Sequence, residues 1–332
     1  MKTDRRRFIA TALSGGMIVS LPDFSSGSDN IKEKYARLDE IIRKPVLKTG
    51  LFISPVIIDK LELLRFENSF LCRVRSKDGG IGISVANNDQ MESLYPILVK
   101  RLAPFFIGKD ARNLESLIAG VYVYQSNYKM QSLALWVPLA TIEFAILDLL
   151  GQISGKSLGQ LIGEIHNSRV AVYQANGERG ITAELTIEHL KKEVGESKAK
   201  ALKFKVGGRM SNNLEEPPGR SEKLIPLIRK TFGDKMVIYA DSNGSYTTDE
   251  AIRIGKIMEE YKIDFYEEPV PFDWYEETKT VADALKIPIA GGEQEPSLHM
   301  FRWLIANDAL QIVQPDNHGF RYSKLIWSVN YS

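Results

Sequence analysis

Six short apolar runs, RVAVYQA, ALKFKV, MVIYAD, IDFYEE, IPIAGG and LQIVQP, follow one another from residue 167 onward, each separated from the next by a helical stretch. Strict alternation of strand and helix requires parallel βα units, because parallel neighbours need a crossover and the helix supplies it. Such units close into a (β/α)8-type barrel whose strand C-termini all open on one face. In one of the helices, TTDEAIRIGKIMEEY, Thr247 and Glu250 have the spacing of a capping box.

Three of the runs end in an acid. Asp241, Glu267 and Glu293 are 26 residues apart in each step, and Asp316 follows 23 residues later. A barrel converts that spacing along the chain into a cluster at one rim. One such acid reads as a strand end or a helix cap. Several together repel unless a cation joins them, and a ring of hard oxygen donors selects a divalent ion, most naturally Mg2+. Glu268, next to Glu267, is expected to face the other way, as adjacent strand residues do.

The second run adds Lys203-Phe204-Lys205. With a period of two, both ammonium groups enter the barrel mouth if Phe204 points out. Alone, this pattern reads as a solvated strand end; one βα unit before the carboxylates it gains weight. Near a cation the two lysines are expected to have lowered pKa values, which would make one of them a neutral base. Asn243 stands two residues after Asp241, either beside the metal or as a turn residue before Gly244. Tyr173 and Asn176, after the first barrel strand, are expected to touch substrate, with Asn87 and Asn88 reaching in from the first half of the chain. His166, His189 and His299 read as structural or surface residues and His318 as a loop residue.

The first half has a different texture. VIIDKLELLRFEN and FLCRVRSKDGGIGISVA read as strands with a turn at Asp78-Gly79-Gly80, followed by helical patterns in MESLYPILVKRLAPFF, ARNLESLIAGVY and LALWVPLATIEFAILDLLGQISG. That order predicts an α+β domain over residues 45–166, ahead of a barrel domain over 167–332. Residues 1–28 differ again: Arg5-Arg6-Arg7 precedes a weakly apolar stretch too short for a convincing membrane span. This resembles a twin-arginine export signal and implies a periplasmic protein; a basic tail on a cytoplasmic one is the alternative.

The 332 residues carry a formal net charge of +1, with 26% charged and 44% hydrophobic residues. There is no whole-chain field to attract nucleic acid or an anionic membrane, so a small molecule is the expected partner. A single cysteine, Cys72, excludes an intrachain disulfide and a cysteine-based zinc cluster.

From Val56 to Asp316 the chain resembles the enolase superfamily, and within it the mandelate racemase / muconate lactonizing enzyme family. The resemblance rests on PLATIEFAILDLLGQISGKSLGQLIG, then K-F-K, D-S-N, Y-E-E-P, G-G-E and Q-P-D in that order. It implies an α/β protein in which an α+β capping domain precedes a (β/α)7β-type TIM barrel. It further implies Asp241, Glu267 and Glu293 as Mg2+ ligands, Lys205 as an acid/base and Lys203 as a cation beside the substrate carboxylate. A Glu as third ligand, and Asp316 where another branch has a lysine, favour the acid-sugar dehydratase and racemase group. Its chemistry removes the α-proton of a hydroxy-carboxylate through an enediolate, ending in dehydration or racemisation. A homo-oligomer is expected by the same analogy.

One departure stands out. In that group the aspartate matching Asp316 pairs with a histidine of the seventh strand, and a glycine pair follows Q-P-D; neither occurs before Ser332. About six of eight strands are present, so an incomplete barrel is expected, from truncation, a partner that supplies the rest, or an altered closure. The alternative function is then a catalytically impaired remnant or binding protein.

Overall fold

The computed structural model describes residues 31–125, 130–165 and 167–316. The leader expected over residues 1–28, together with His166 and His318, lies outside them. The chain divides into two compact units, one comprising mainly Tyr35–His166 and the other Asn167–Gln294 with His299–Gln314.

In the first unit, β1 (Ile58–Phe66), β2 (Ser69–Ser76) and β3 (Ile81–Val85) form an antiparallel meander. β2 alternates strictly: Phe70, Cys72 and Val74 are buried, and Leu71, Arg73 and Arg75 take the other face. Helices α1 (Asn88–Ile97), α2 (Leu114–Val123) and α3 (Leu133–Ser154) follow. Long and apolar almost all round, α3 has the composition of a membrane span, yet 72% of its most apolar window is buried inside the protein. Such a helix belongs in a core. It ends where Gly155 adopts a left-handed conformation at φ 64°. Gly82 of β3 lets the sheet approach this helix, since a Cβ there would overlap Ala145 O and Leu149 N. Asn87 caps α1 by accepting from Gln90 N, and Asn88 Oδ1 accepts from Phe70 N at 2.8 Å. Both asparagines thus turn their side-chain oxygens to the backbone of this unit.

The second unit is a six-stranded, wholly parallel sheet whose neighbours follow chain order: β4 (Gln174–Ala175), β5 (Ala201–Lys205), β6 (Val237–Asp241), β7 (Phe265–Glu267), β8 (Ile289–Gly291) and β9 (Ile312–Val313). These six are the strands of the barrel among the described residues. Between them run α4 (Ala183–Ser197), α5 (Arg220–Phe232), α6 (Thr248–Glu260), α7 (Tyr275–Ala284) and α8 (Leu298–Ala306). Leu202, Phe204, Ile238, Ala240, Tyr266 and Ile289 join a core with Leu190, Leu224, Ile228, Ile254 and Val281 of the helices. Phe204 thus faces the helical layer, and its neighbours Lys203 and Lys205 take the opposite side.

Two buried arginines tie the ends of this sheet. Arg220, opening α5, donates to the carbonyls of Ile181, Lys205 and Glu178 and to Thr186 Oγ1 at 2.8–3.1 Å. Arg229, near the end of the same helix, donates to the carbonyls of Tyr261, Gly233 and Met236. Thr247 is the N-cap of α6, but no capping box forms: its N–H donates to Asn213 Oδ1, and Glu250 pairs with Arg253. A nearby guanidinium competes better for a carboxylate than a neutral backbone N–H does.

Candidate active site

Strand register brings the charged residues together. Lys203 is the Cα partner of Tyr239, and Lys205 of Asp241, which in turn pairs with Glu267 on β7. One inward row therefore carries Lys205, Asp241 and Glu267 at the C-terminal ends of three adjacent strands. Lys203 Nζ donates to Glu267 Oε2 at 2.8 Å and lies 3.4 Å from Asp241 Oδ2. Lys205 Nζ hydrogen-bonds Asp241 Oδ2 and donates to Asn243 Oδ1 at 3.0 Å. Asp241 and Glu267 are fully buried, so each needs such a partner.

Asn243 is the hub. Its N–H donates to Asp241 Oδ1 at 2.9 Å, and its Nδ2 donates to Glu293 Oε1 at 3.2 Å and Glu268 Oε2 at 3.3 Å. Its φ is 45°, a left-handed conformation that asparagine tolerates better than most residues. Glu268 also has a positive φ, 41°. That turn ends the alternation of the strand, so Glu268 is buried within the same cluster as Glu267 and does not face away. This corrects the expectation from strand periodicity.

The electrostatics follow from burial. Glu268 is pushed up from the usual 4.5 to about 8 by desolvation and by the Glu293 carboxylate. Glu267 is also raised, by burial and by Asp241, with Lys203 and a hydrogen bond from Gln314 opposing. For Lys203, burial favours the neutral amine, but the Glu267 and Asp241 carboxylates outweigh it and hold the ammonium above the usual lysine value. The lowered value expected for a lysine beside a cation concerns the metal-bound site; here the neighbours of Lys203 are anions.

Tyr173 is half exposed and packs edge to face on Tyr239, with Lys203 Nζ 5.3 Å from its ring centroid. Asn176 is buried and engaged elsewhere: its Nδ2 lies 3.2–3.3 Å from Glu178 and Glu193, and its Oδ1 accepts from Glu178 N. Through these bonds it holds the β4–α4 loop. His189 pairs with Glu178 at 2.6 Å on the surface. Asp316 is exposed and lies outside the compact unit that holds the site.

Two residues of this neighbourhood escaped the sequence reading. They are Gln314, whose side chain lowers the pKa of Glu267, and Arg179. Arg179 donates through Nη2 to Asn243 Oδ1 at 2.8 Å and through Nε to Gly207 O at 3.1 Å. Burial lowers its pKa, against the attraction of Asp241. The Q-P-D motif held a signal for Gln314; a loop arginine gives none.

Can this site take a metal ion? Among the described residues no three His, Cys, Asp or Glu side chains converge closely enough to ligate one. Asp241 and Glu267 turn their oxygens to the two lysines. The donor chemistry nonetheless fits a hard divalent cation, with four carboxyl groups and one amide around one rim. Glu268 Oε1, moreover, is buried without a hydrogen-bond partner. A cation would relieve both the repulsion and the unmet acceptor.

Comparison with known proteins agrees with this architecture. The family model for the mandelate racemase / muconate lactonizing enzyme N-terminal domain matches residues 66–163. The model for enolase C-terminal domain-like sequences matches residues 186–320. The L-talarate/galactarate dehydratase of Salmonella typhimurium strain LT2 is 28% identical over 255 residues, 74% of this chain and 60% of that protein. The D-galactarolactone cycloisomerase of Agrobacterium fabrum is 27% identical over 222 residues, 66% of this chain and 56% of its own. The chain thus spans about 60% of the length of such curated relatives. Among solved structures, the 3,6-anhydro-D-galactonate cycloisomerase of Zobellia galactanivorans superposes with a TM-score of 0.66 at 26% identity, covering 80% of this chain and 73% of that one. A magnesium complex of a mandelate racemase/muconate lactonizing protein from Paracoccus denitrificans PD1222 superposes at 0.74 and 21% identity, over 83% and 77% of the two chains, a likeness of fold.

Proposed function

The chain belongs to the mandelate racemase / muconate lactonizing enzyme family of the enolase superfamily, and on that premise we propose that it removes the α-proton of a hydroxylated carboxylate, of the sugar-acid class, leading to dehydration or isomerisation. The observation that carries this reading is the shared row of Lys205, Asp241 and Glu267 on β5, β6 and β7. It sets an ammonium/amine pair beside a carboxylate cluster at the strand ends, where a barrel presents its chemistry.

In this reading Asp241, Glu267 and Glu293 would hold a divalent cation, Mg2+ by the hardness of the donors. When bound, the ion supplies Lewis-acid stabilisation of the negative charge that builds on the substrate carboxylate. The chain's own residues do the rest. As the free amine, Lys205 would take the α-proton at Nζ, the nitrogen held 3.0 Å from Asn243 Oδ1. Lys203, whose Nζ lies 2.8 Å from Glu267 Oε2, would offer its positive charge to the substrate carboxylate. Tyr173, beside Lys203, closes one wall of the mouth. A second acid/base group would decide between returning a proton and releasing a β-hydroxyl.

The test is proton exchange in D2O. A panel of aldonic and aldaric acids is incubated with the protein and Mg2+, and loss of the α-proton signal is followed by NMR. Exchange that needs Mg2+ and disappears in Lys205→Ala supports the reading. Substrate binding without exchange favours the alternative of an impaired binding protein, and no binding of any acid overturns both.

A further inference from the structure

Asn243 can present its amide in two orientations, and its neighbours permit only one. On one side lie Lys205 Nζ at 3.0 Å and Arg179 Nη2 at 2.8 Å. Both groups only donate, so the atom facing them must be the carbonyl oxygen. On the other side lie Glu293 Oε1 at 3.2 Å and Glu268 Oε2 at 3.3 Å, acceptors that take the Nδ2 protons. Reversing the amide would set NH2 against two cations and oxygen against two carboxyl groups.

The two donors are not equivalent. Lys205 shares its ammonium between Asn243 and Asp241 on a flexible four-carbon stem. Arg179 is tied down independently, because its Nε donates to the carbonyl of Gly207 at 3.1 Å. Gly207 is itself fixed: its N–H donates to Ser221 Oγ at 2.9 Å, and its φ of 60° leaves a Cβ no room against Ser245. One planar guanidinium therefore spans from the loop after β4, across the loop after β5, to the loop after β6. A planar fork of this kind fixes direction as well as distance.

We propose that Arg179 is a positioning residue for the carboxylate cluster: by holding the Asn243 oxygen it keeps the Asn243 amide turned toward Glu293 and Glu268, and so presets Glu293 for a divalent cation. The inference deepens the proposed function, since it assumes that Glu293 is a ligand. Its first test needs neither metal nor substrate.

In the full chain labelled with 15N-asparagine, the Asn243 side-chain amide resonance is identified by its loss in Asn243→Asp, and its solvent exchange is measured without metal. In Arg179→Met the exchange is expected to accelerate by about tenfold as the amide comes loose. Arg179→Lys keeps the charge but loses the planar fork that fixes direction, and is expected to fall between, at about threefold. Exchange as slow as in the parent protein, in whichever of the two variants folds, overturns the proposal. The second test is calorimetric titration with Mg2+. Arg179→Met is expected to weaken binding by about tenfold, and Arg179→Met combined with Asn243→Ala to bind no more weakly than Asn243→Ala alone. Additive losses would mean that Arg179 acts on its own and would overturn it. A parent protein that binds no Mg2+ would sink the metal assignment instead, and the amide measurement would still decide for or against Arg179.

Discussion

Lys205 and Asp241 face each other as register partners across β5 and β6, the lysine nitrogen hydrogen-bonded to Asp241 Oδ2 with both side chains withdrawn from solvent. The pair sets a fully buried carboxylate against a cation that the proposed chemistry also uses. Its two roles separate by measurement.

In the metal-free protein, Lys205→Met removes one partner of a buried ion pair and leaves Asp241 with Lys203 and the Asn243 N–H. Breaking such a pair costs about 3–5 kcal/mol. Thermal or urea unfolding in EDTA is expected to show a loss of that order, and added Mg2+ to restore a large part of it. The same variant is expected to lower substrate α-proton exchange by about 10²–10⁴-fold. A variant that is stable in EDTA and still exchanges would contradict both roles.

The raised pKa of Glu268 makes stability depend on pH in a defined sense. Its carboxyl is held at about 8, against a usual 4.5. Between those values the folded protein keeps a proton that the unfolded chain releases, so stability falls as pH rises. The contribution is fully present below 4.5 and lost as pH passes 8, with a slope of at most about 1.4 kcal/mol per pH unit. Urea titrations in EDTA at pH 5, 6, 7 and 8 should show the decline, and Glu268→Gln should flatten it.

Arg220 carries no expected chemistry but donates to the carbonyl of Lys205 itself. Arg220→Met strands three carbonyls and the Thr186 hydroxyl, each at a cost of about 1–3 kcal/mol if left without a partner. We expect a stability loss above about 3 kcal/mol, with proton exchange lowered at temperatures where the variant remains folded. Circular dichroism melting beside the exchange assay would tell these apart.

Gly82 tests the other unit. Its replacement by alanine drives a Cβ into the α3 backbone at Ala145 and Leu149. Overpacking of this kind costs about 1–3 kcal/mol, and rigid backbone on the far side puts Gly82→Ala at the upper end. Gly79→Ala should cost less, since only its φ of 85° opposes a side chain and nothing lies within 4 Å. Paired denaturation curves would rank the two.

The barrel half of this fold was legible because its signals are periodic. Alternation in K-F-K sends Phe204 into the helical layer and both lysines inward, as a period of two requires. Equal βα spacing places Asp241 and Glu267 in one register row. What could not be read depends on single dihedral angles or on contacts between distant loops. The positive φ of Glu268 keeps a second glutamate in the cluster where alternation predicts it outside. Asn176 follows a barrel strand, and Glu193, 17 residues on and one helix away, takes its amide. Arg179 reaches Asn243 across 64 residues of chain, a pairing no local pattern announces.

Because, among the described residues, the barrel strands pair only with their neighbours in chain order, the sheet can lengthen one βα unit at a time behind the ribosome. Closure of each loop brings together residues a few tens of positions apart, which keeps contact order low and favours rapid growth. Asp241 then arrives beside Lys205 and Glu267 beside Lys203, so each of these two buried acids meets a cation as it leaves water. Glu268 and Glu293 follow with only the Asn243 amide between them, and the charge left unneutralised gathers at the end of the sheet made last.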